Sequence, residues 1–340
     1  MTRVKKPAYI DSTYSAATNW QKLTNVAEFR RIRGIMTDLL KLWYQAARPR
    51  SLTATYAPLL LGGVITITDG VFNLPKFVLA LFGALLLQIG ANLVNEYVDY
   101  NRGTDDQKVA GMGMVLSRPE AGGKLTTQQV LIGAIVTVVG GAAIGILLVI
   151  SSGPLLLGIG MIGVLVAVTY TAGPMPLAYV GLGEIAVFIC MGPLMVLGTY
   201  YAVSGKTSSL ALIGGLPLAF TVAAILHANN MRDLDADRAA NKRTLAVRFG
   251  RHGSRIEYTF LIYGAYGILV FFLLLPGNSV PWTILLVFLT LPRAIEVVRL
   301  ATNTDDPKVL HGVQGMTARL HFIFGLALAG GWLLSVFLPK

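Results

Sequence analysis

The feature that most constrains this chain is a series of long apolar runs separated by short polar breaks. Nine can be marked, at approximately residues 53–70, 75–98, 128–150, 154–171, 180–203, 209–230, 256–275, 280–298 and 317–338. Their lengths lie near the roughly 20 residues that a helix needs to cross hydrocarbon. The breaks between them carry Gly, Pro, Asn and Asp, as connections between helices do. A backbone surrounded by lipid must satisfy its own hydrogen bonds, which leaves helices or a closed barrel. Barrel strands would be shorter and would alternate apolar with polar residues, and no such segments occur. The expectation is therefore all-α: a polytopic transmembrane helical bundle of about nine spans. Composition excludes the other classes. Charged residues make up 13% of the chain and mean hydropathy is +0.63, against about 25% charged in an average soluble domain. So few charges cannot cover a soluble globule, and Cys190 stands alone, which excludes a disulfide scaffold.

The basic residues sort by side. Residues 1–50 hold ten, and the segments after the second, sixth and eighth runs hold four, seven and four. The opposite side holds Lys76, Lys206 and Lys340. A split of 25 to 3 predicts a cytoplasmic N-terminus in a bacterial or archaeal cytoplasmic membrane. The net charge of +11 is then topology, and no nucleic-acid partner is expected. Two parts follow: a basic cytoplasmic segment, 1–50, and a transmembrane domain, 51–340. Within the first, Phe29, Ile32, Met36, Leu39 and Trp43 recur at spacings of three and four among Arg30, Arg31, Arg33 and Lys41. This pattern fits an amphipathic helix, lying either on the inner leaflet or against the end of the bundle.

Seven of the 17 acidic residues gather into two clusters at the cytoplasmic ends of the second and sixth runs. The first reads Asn92-Leu-Val-Asn95-Glu96-Tyr97-Val98-Asp99, followed shortly by Asp105-Asp106. The second reads Asn229-Asn230-Met-Arg232-Asp233-Leu-Asp235-Ala-Asp237. Both contain Asn-x-x-x-Asp, and residues four apart share one helix face. The clusters lie four runs apart and so face one compartment, which suggests two pseudo-repeated four-helix units. Converging carboxylates need a cation, and oxygen donors without His or Cys favour Mg²⁺. Two such clusters facing each other would clamp a diphosphate. Arg48, Arg118, Lys124, Arg232 and Lys242 supply the cationic half of that site.

At this point the residues resemble the UbiA-type intramembrane aromatic prenyltransferases. The resemblance rests on Arg48-Pro49, on Asn92-x-x-Asn95-x-Tyr97-x-Asp99-x-x-x-Gly103-Thr104-Asp105, and on the second Asp motif with Lys242-Arg-Thr244 after it. Tyr170-Thr-Ala-Gly-Pro174-Met-Pro176-Leu and Gly181-Leu-Gly183-Glu184 favour the branch that uses 1,4-dihydroxy-2-naphthoate. The resemblance implies that Asn95, Asp99, Asp105, Asp233 and Asp237 hold Mg²⁺ on a polyprenyl diphosphate. It implies that Asp99, Asp233, Tyr170 and Lys242 act in catalysis, and that Arg48, Asn92, Arg118, Lys124, Arg232 and Glu184 bind substrate. An allylic cation would form and alkylate a small aromatic acceptor in the bilayer, a carboxylate being lost in the naphthoate case. Glu96 departs from the family's usual Asp, and its longer arm could carry it off the metal. Pro174 stands where the benzoate-type branch tends to have Lys, which argues against 4-hydroxybenzoate. Another quinone precursor or a haem as acceptor stays open on these residues. A transporter, the reading from another class, would place its charges near the midplane, whereas these sit at helix ends.

Overall fold

A computed structural model describes residues 13–101, 125–171, 176–277 and 279–338. Every regular element among the described residues is helical. In chain order they are α1 (Thr13–Ala46), α2 (Pro49–Thr68), α3 (Leu74–Asn101), α4 (Thr127–Ser152) and α5 (Leu155–Thr171). Then come α6 (Gly183–Ile189), a π-helical turn (Cys190–Leu194), α7 (Met195–Ser204), α8 (Ser209–Gly214), α9 (Leu216–Arg232) and α10 (Leu234–Ala239). The chain closes with α11 (Leu245–Leu274), a 3₁₀ stretch (Trp282–Thr290), α12 (Leu291–Thr302) and α13 (Pro307–Leu334). Seven of the resulting rods are long and apolar enough to cross a membrane, and Leu155–Tyr170 is a shorter apolar helix. The eighth apolar run folds as the 3₁₀ stretch continued by α12.

Local chemistry sets the helix ends. Pro49, Pro217 and Pro307 occupy first-turn positions, where a missing N–H costs nothing. Thr126 and Gln129 cap α4 reciprocally, and Thr244 caps α11. The π turn lies where Pro193 interrupts the α6–α7 rod. A proline has no N–H for the helix ladder, and a local change of winding absorbs the fault. Gly250 (φ 65°) kinks α11 one and a half turns after its start. The kink separates a short amphipathic entry from the long apolar rod.

Neighbouring rods pack in sequence, α2 on α3, α3 on α4 and α4 on α5, and α13 returns against both α2 and α9, closing the bundle. The largest core lies in the second half, around Leu218, Tyr258, Ile262, Ile284 and Phe324. Helices α4 and α5 instead turn Ile132, Val136, Val139, Ile150, Leu165 and Val168 outward, each at least half exposed or nearly so. A surface of that kind suits lipid tails and not water. The chain is an integral membrane protein, and one side of the bundle keeps space for a ligand.

Candidate active site

A cavity of about 2050 Å³ opens between α3, α4, α5, the α6–α7 rod and α9. One end is polar, lined by Arg48, Asn92, Asn95, Arg232, Asp233 and Asp237 among others. The rest is apolar and runs down α3 to Gly83 and Ala80. Asn95 and Ala80 are fifteen residues apart on one helix, which at about 1.5 Å per residue makes a corridor about 22 Å long. Gly145, Gly160 and Gly163 line it, and a Cβ at any of them would meet open space.

Two helix ends build the polar mouth. Helix α3 runs unbroken to Asn101 and carries Asn92, Asn95 and Asp99 into the same region. Asp99 lies one turn beyond Asn95, but its side chain falls outside what is described, as do Asp105, Asp106, Arg118 and Lys124 altogether. On the other side α9 ends at Arg232 and α10 begins at Leu234. Asp233 sits at the joint, yet Asp233 N still bonds Asn229 O (3.0 Å) and Asp237 N bonds Asp233 O (2.7 Å). The four-residue spacing survives the break, so Asn229, Asp233 and Asp237 all face the cavity. Asp235, out of phase, points away to solvent and pairs with Arg251, which also holds Asp305 at 3.0 Å.

The cations are mounted individually. Arg232 donates to both carboxylate oxygens of Asp233, with Nε–Oδ1 at 2.7 Å. It also reaches Asn229 Oδ1 (2.8 Å), Gln314 Oε1 (2.7 Å) and the ring of His311 (3.3 Å). This fixes the end of α9 against α13. Lys242 lies 3.4 Å from Asp237 and over the Tyr179 ring, 4.8 Å from its centroid. Tyr179 is carried by a strap, residues 176–182, bound to α5 through Leu177 N–Thr169 O and Ala178 N–Tyr170 O, and to the loop between α10 and α11 through Arg243 N–Tyr179 O. The strap turns at Gly181 (φ 75°), where a Cβ would stand 2.9 Å from Arg243 O. Only glycine meets both demands.

Arg48 is held differently. It takes a left-handed conformation (φ 51°, ψ 66°) just before Pro49, which costs a non-glycine residue about 1–2 kcal/mol. Asn92 secures the strained turn from both sides, donating to Ala47 O (3.0 Å) and Ser51 Oγ (2.8 Å). The Asn92 amide hydrogens are thus committed to the protein itself. Glu96 is fully buried, its carboxylate 3.8 Å from the Arg48 guanidinium, and it does not line the cavity. It points away from the cavity toward the arginine, one turn along α3 from Asn92, which holds the Arg48 turn.

Glu184 also lies behind the cavity wall. Its Oε1 accepts from Asn230 Nδ2 at 2.7 Å and stands 3.2 Å from His227 Nδ1. His227 Nε2 donates to Ser254 O (3.0 Å), leaving Nδ1 toward Glu184 and, at 3.6 Å, toward Glu257. Any influence of Glu184 on substrate therefore passes through Asn230, which does face the cavity. Tyr170 faces it too, its hydroxyl close to Gly183.

Sequence reasoning had not picked out His311, Gln314, Tyr179 or Asn230 as site residues. The apolar run that suggested a span from residue 317 missed the first two, because α13 begins at Pro307 with polar turns. The signal available was Asp306-Pro307, a cap followed by a first-turn proline. As a metal site, the described mouth offers oxygen donors from Asn95, Asp233 and Asp237. A carboxylate has about four lone-pair positions, so the two that Arg232 uses leave Asp233 able to ligate. That donor chemistry fits a hard divalent cation.

Residues 55–311 match the UbiA prenyltransferase family. The chain belongs to that family. It is 32% identical over 296 residues to a 1,4-dihydroxy-2-naphthoate octaprenyltransferase of Bacillus subtilis, covering 87% of this chain and 93% of the relative. It is 34% identical over 288 residues to the enzyme of the same name from Mycobacterium tuberculosis, covering 85% and 95%. Among solved structures, a UbiA homologue from Archaeoglobus fulgidus, bound to GPP and Mg²⁺, shares the fold with TM-score 0.54 at 17% identity, covering 85% of this chain and 99% of the other. An apo UbiA homologue from Aeropyrum pernix does so with TM-score 0.57 at 18% identity, covering 81% and 96%. The chain is an intramembrane prenyltransferase.

Proposed function

We propose that this enzyme transfers a polyprenyl group from its diphosphate to 1,4-dihydroxy-2-naphthoate, a step of menaquinone synthesis. The observation that carries the reading is the union of a cation-lined acidic mouth with a 22 Å apolar corridor (about fifteen helical residues) in one cavity. A diphosphate head and a hydrocarbon tail need that division. The relatives named for octaprenyl transfer to this naphthoate, alike over nearly their whole length, support the acceptor.

The residues divide the work as follows. Asn95, Asp99, Asp233 and Asp237, with Asp105 from outside the described residues, would hold Mg²⁺. When bound, Mg²⁺ would supply charge neutralisation at the diphosphate oxygens. Lys242 and Arg48, joined by Arg118 and Lys124, donate to the departing diphosphate, and Arg232, whose five N–H groups are held by Asp233, Asn229, Gln314 and His311, adds its positive charge beside it, where stabilising developing charge lowers the barrier most. The allylic C–O bond breaks with its electron pair going to the diphosphate. The Tyr170 ring, which lines the cavity, would stabilise the carbon cation left behind. The apolar corridor keeps water from that carbon. An acceptor ring carbon then bonds to it, and the acceptor's carboxylate leaves as carbon dioxide, which balances charge. The basic residues beside the mouth support a cytoplasmic position for it.

The test incubates purified protein with Mg²⁺, a labelled polyprenyl diphosphate and a panel of aromatic acceptors. Dihydroxynaphthoate should be prenylated, chelation should stop the reaction, and Asp233→Ala should lower kcat at least about 100-fold. Prenylation of a different acceptor with none of the naphthoate would overturn the substrate assignment. Full activity in Asp233→Ala would overturn the metal assignment.

A further inference from the structure

Helix α1 has an apolar face that the bundle uses only at one end. Ala46 is buried, and Trp43 packs against Gly133 of α4, in a small core with Leu93, Val130 and Ala134. Further toward the N-terminus Phe29, Ile32, Met36, Leu39 and Leu40 are 66%, 55%, 56%, 41% and 65% exposed. At 3.6 residues per turn these five share the side that carries Trp43. The opposite side holds Gly34, Asp38 and Lys41, Arg30 and Arg31 stand on its two flanks, and Arg33 borders the apolar stripe. The only described acidic side chain of the helix, Asp38, thus faces away from the stripe.

Connectivity fixes the level at which this stripe sits. Only Ala47 and Arg48 separate α1 from α2, which is apolar enough to cross the bilayer. Trp43 meets α4 less than two turns inside its start, so the stripe leaves the bundle at the depth of the membrane interface. A face that exposes five large apolar side chains to water costs free energy, and the same face laid into lipid recovers it.

We propose that residues 29–40 of α1 lie in the bilayer surface on the side of the polar mouth, with Phe29, Ile32, Met36, Leu39 and Leu40 among the acyl chains and Arg30, Arg31 and Arg33 on anionic headgroups. Three arginines on the flanks of the stripe, with Asp38 at the cavity wall, select a negatively charged leaflet. Because Lys41, Leu42 and Gln45 on the same helix line the cavity, the lipid seat also steadies one wall of the mouth. This inference does not depend on which acceptor is used.

The experiment places a fluorophore on the full-length protein, reconstituted in vesicles, at Met36→Cys or at Gly34→Cys, each in a Cys190→Ser background. In vesicles containing phosphatidylglycerol, spin-labelled lipid should quench the probe at position 36 several-fold more than at 34, and aqueous iodide should show the reverse order. Changing Arg30, Arg31 and Arg33 together to Glu should reduce lipid quenching at position 36 to that in pure phosphatidylcholine. Equal access of iodide to both positions would place the stripe in water and overturn the proposal. Protection of position 36 from both quenchers would show that protein covers it, a second copy included, and would overturn it equally. Unchanged lipid quenching in the triple Glu variant would overturn the selection for anionic lipid.

Discussion

At the scale of single residues, the site works because its charged groups are mounted rather than merely present. Arg48 occupies a conformation it would not choose alone, and Asn92 is what holds it there. Replacing Asn92 with Leu strips both hydrogen bonds and leaves the Ala47 carbonyl without its donor. A loss of about 1–3 kcal/mol is expected, measured as a lower Tm in detergent, together with a higher KM for the prenyl diphosphate. Glu96 teaches the complementary lesson. In the sequence it is an acidic residue inside a metal motif, one position from Asn95. In the fold its carboxylate is buried beside Arg48 and off the cavity lining. Helical phase explains this: Glu96 stands one turn from Asn92, which holds the Arg48 turn, and about 100° round α3 from Asn95. Asp235 leaves the second cluster by a plainer phase, two residues from both Asp233 and Asp237, which the spacing alone allowed one to foresee. Glu184 was not legible in this way, because its partners Asn230 and His227 come from a distant helix.

At the scale of elements, α3 is both wall and ruler, with its polar end at the mouth and its apolar length along the corridor. The glycines of α5 keep that corridor open, since nothing occupies the space a side chain would take at Gly160 or Gly163. Gly160→Trp should therefore fill the corridor without breaking the fold. Transfer from geranyl diphosphate should be retained, and transfer from an octaprenyl donor should fall at least about tenfold, corresponding to about 1.4 kcal/mol of lost transition-state binding. Product analysis with the two donors side by side checks this. Equal loss with both would mean that the corridor does not carry the tail. The strap over residues 176–182 shows what local sequence could and could not reveal. The sequence put Gly181 at the start of an apolar run; its turn and its contact with the Arg243 carbonyl depend on a loop some sixty residues later.

At the scale of the whole molecule, the bundle is asymmetric in its surroundings. Its second half surrounds a large apolar core, while α4 and α5 bury little and face outward. The distribution of Lys and Arg predicts an orientation across the bilayer. Single cysteines at Arg238 and Lys206, both exposed, should therefore react with a membrane-impermeant maleimide from opposite sides of sealed vesicles in the Cys190→Ser background. In inside-out vesicles position 238 should label first, and position 206 only after the bilayer is opened. Labelling of both from one side would overturn the orientation.

The sequence by itself determined that this is a helical membrane protein, that its basic residues gather at one set of connections between the apolar runs, and which residues carry oxygen donors at four-residue intervals. Those properties follow from bilayer thickness, from backbone hydrogen bonding and from helical periodicity, all of which act over short stretches of chain. Only the tertiary structure decided that Asn92 and Glu96 serve Arg48, that Glu184 serves Asn230, and that His311 and Gln314 join the mouth. These assignments depend on which helices become neighbours. That is settled by the packing of whole apolar faces, α13 against α2 and α9 above all, and leaves no mark at any single position.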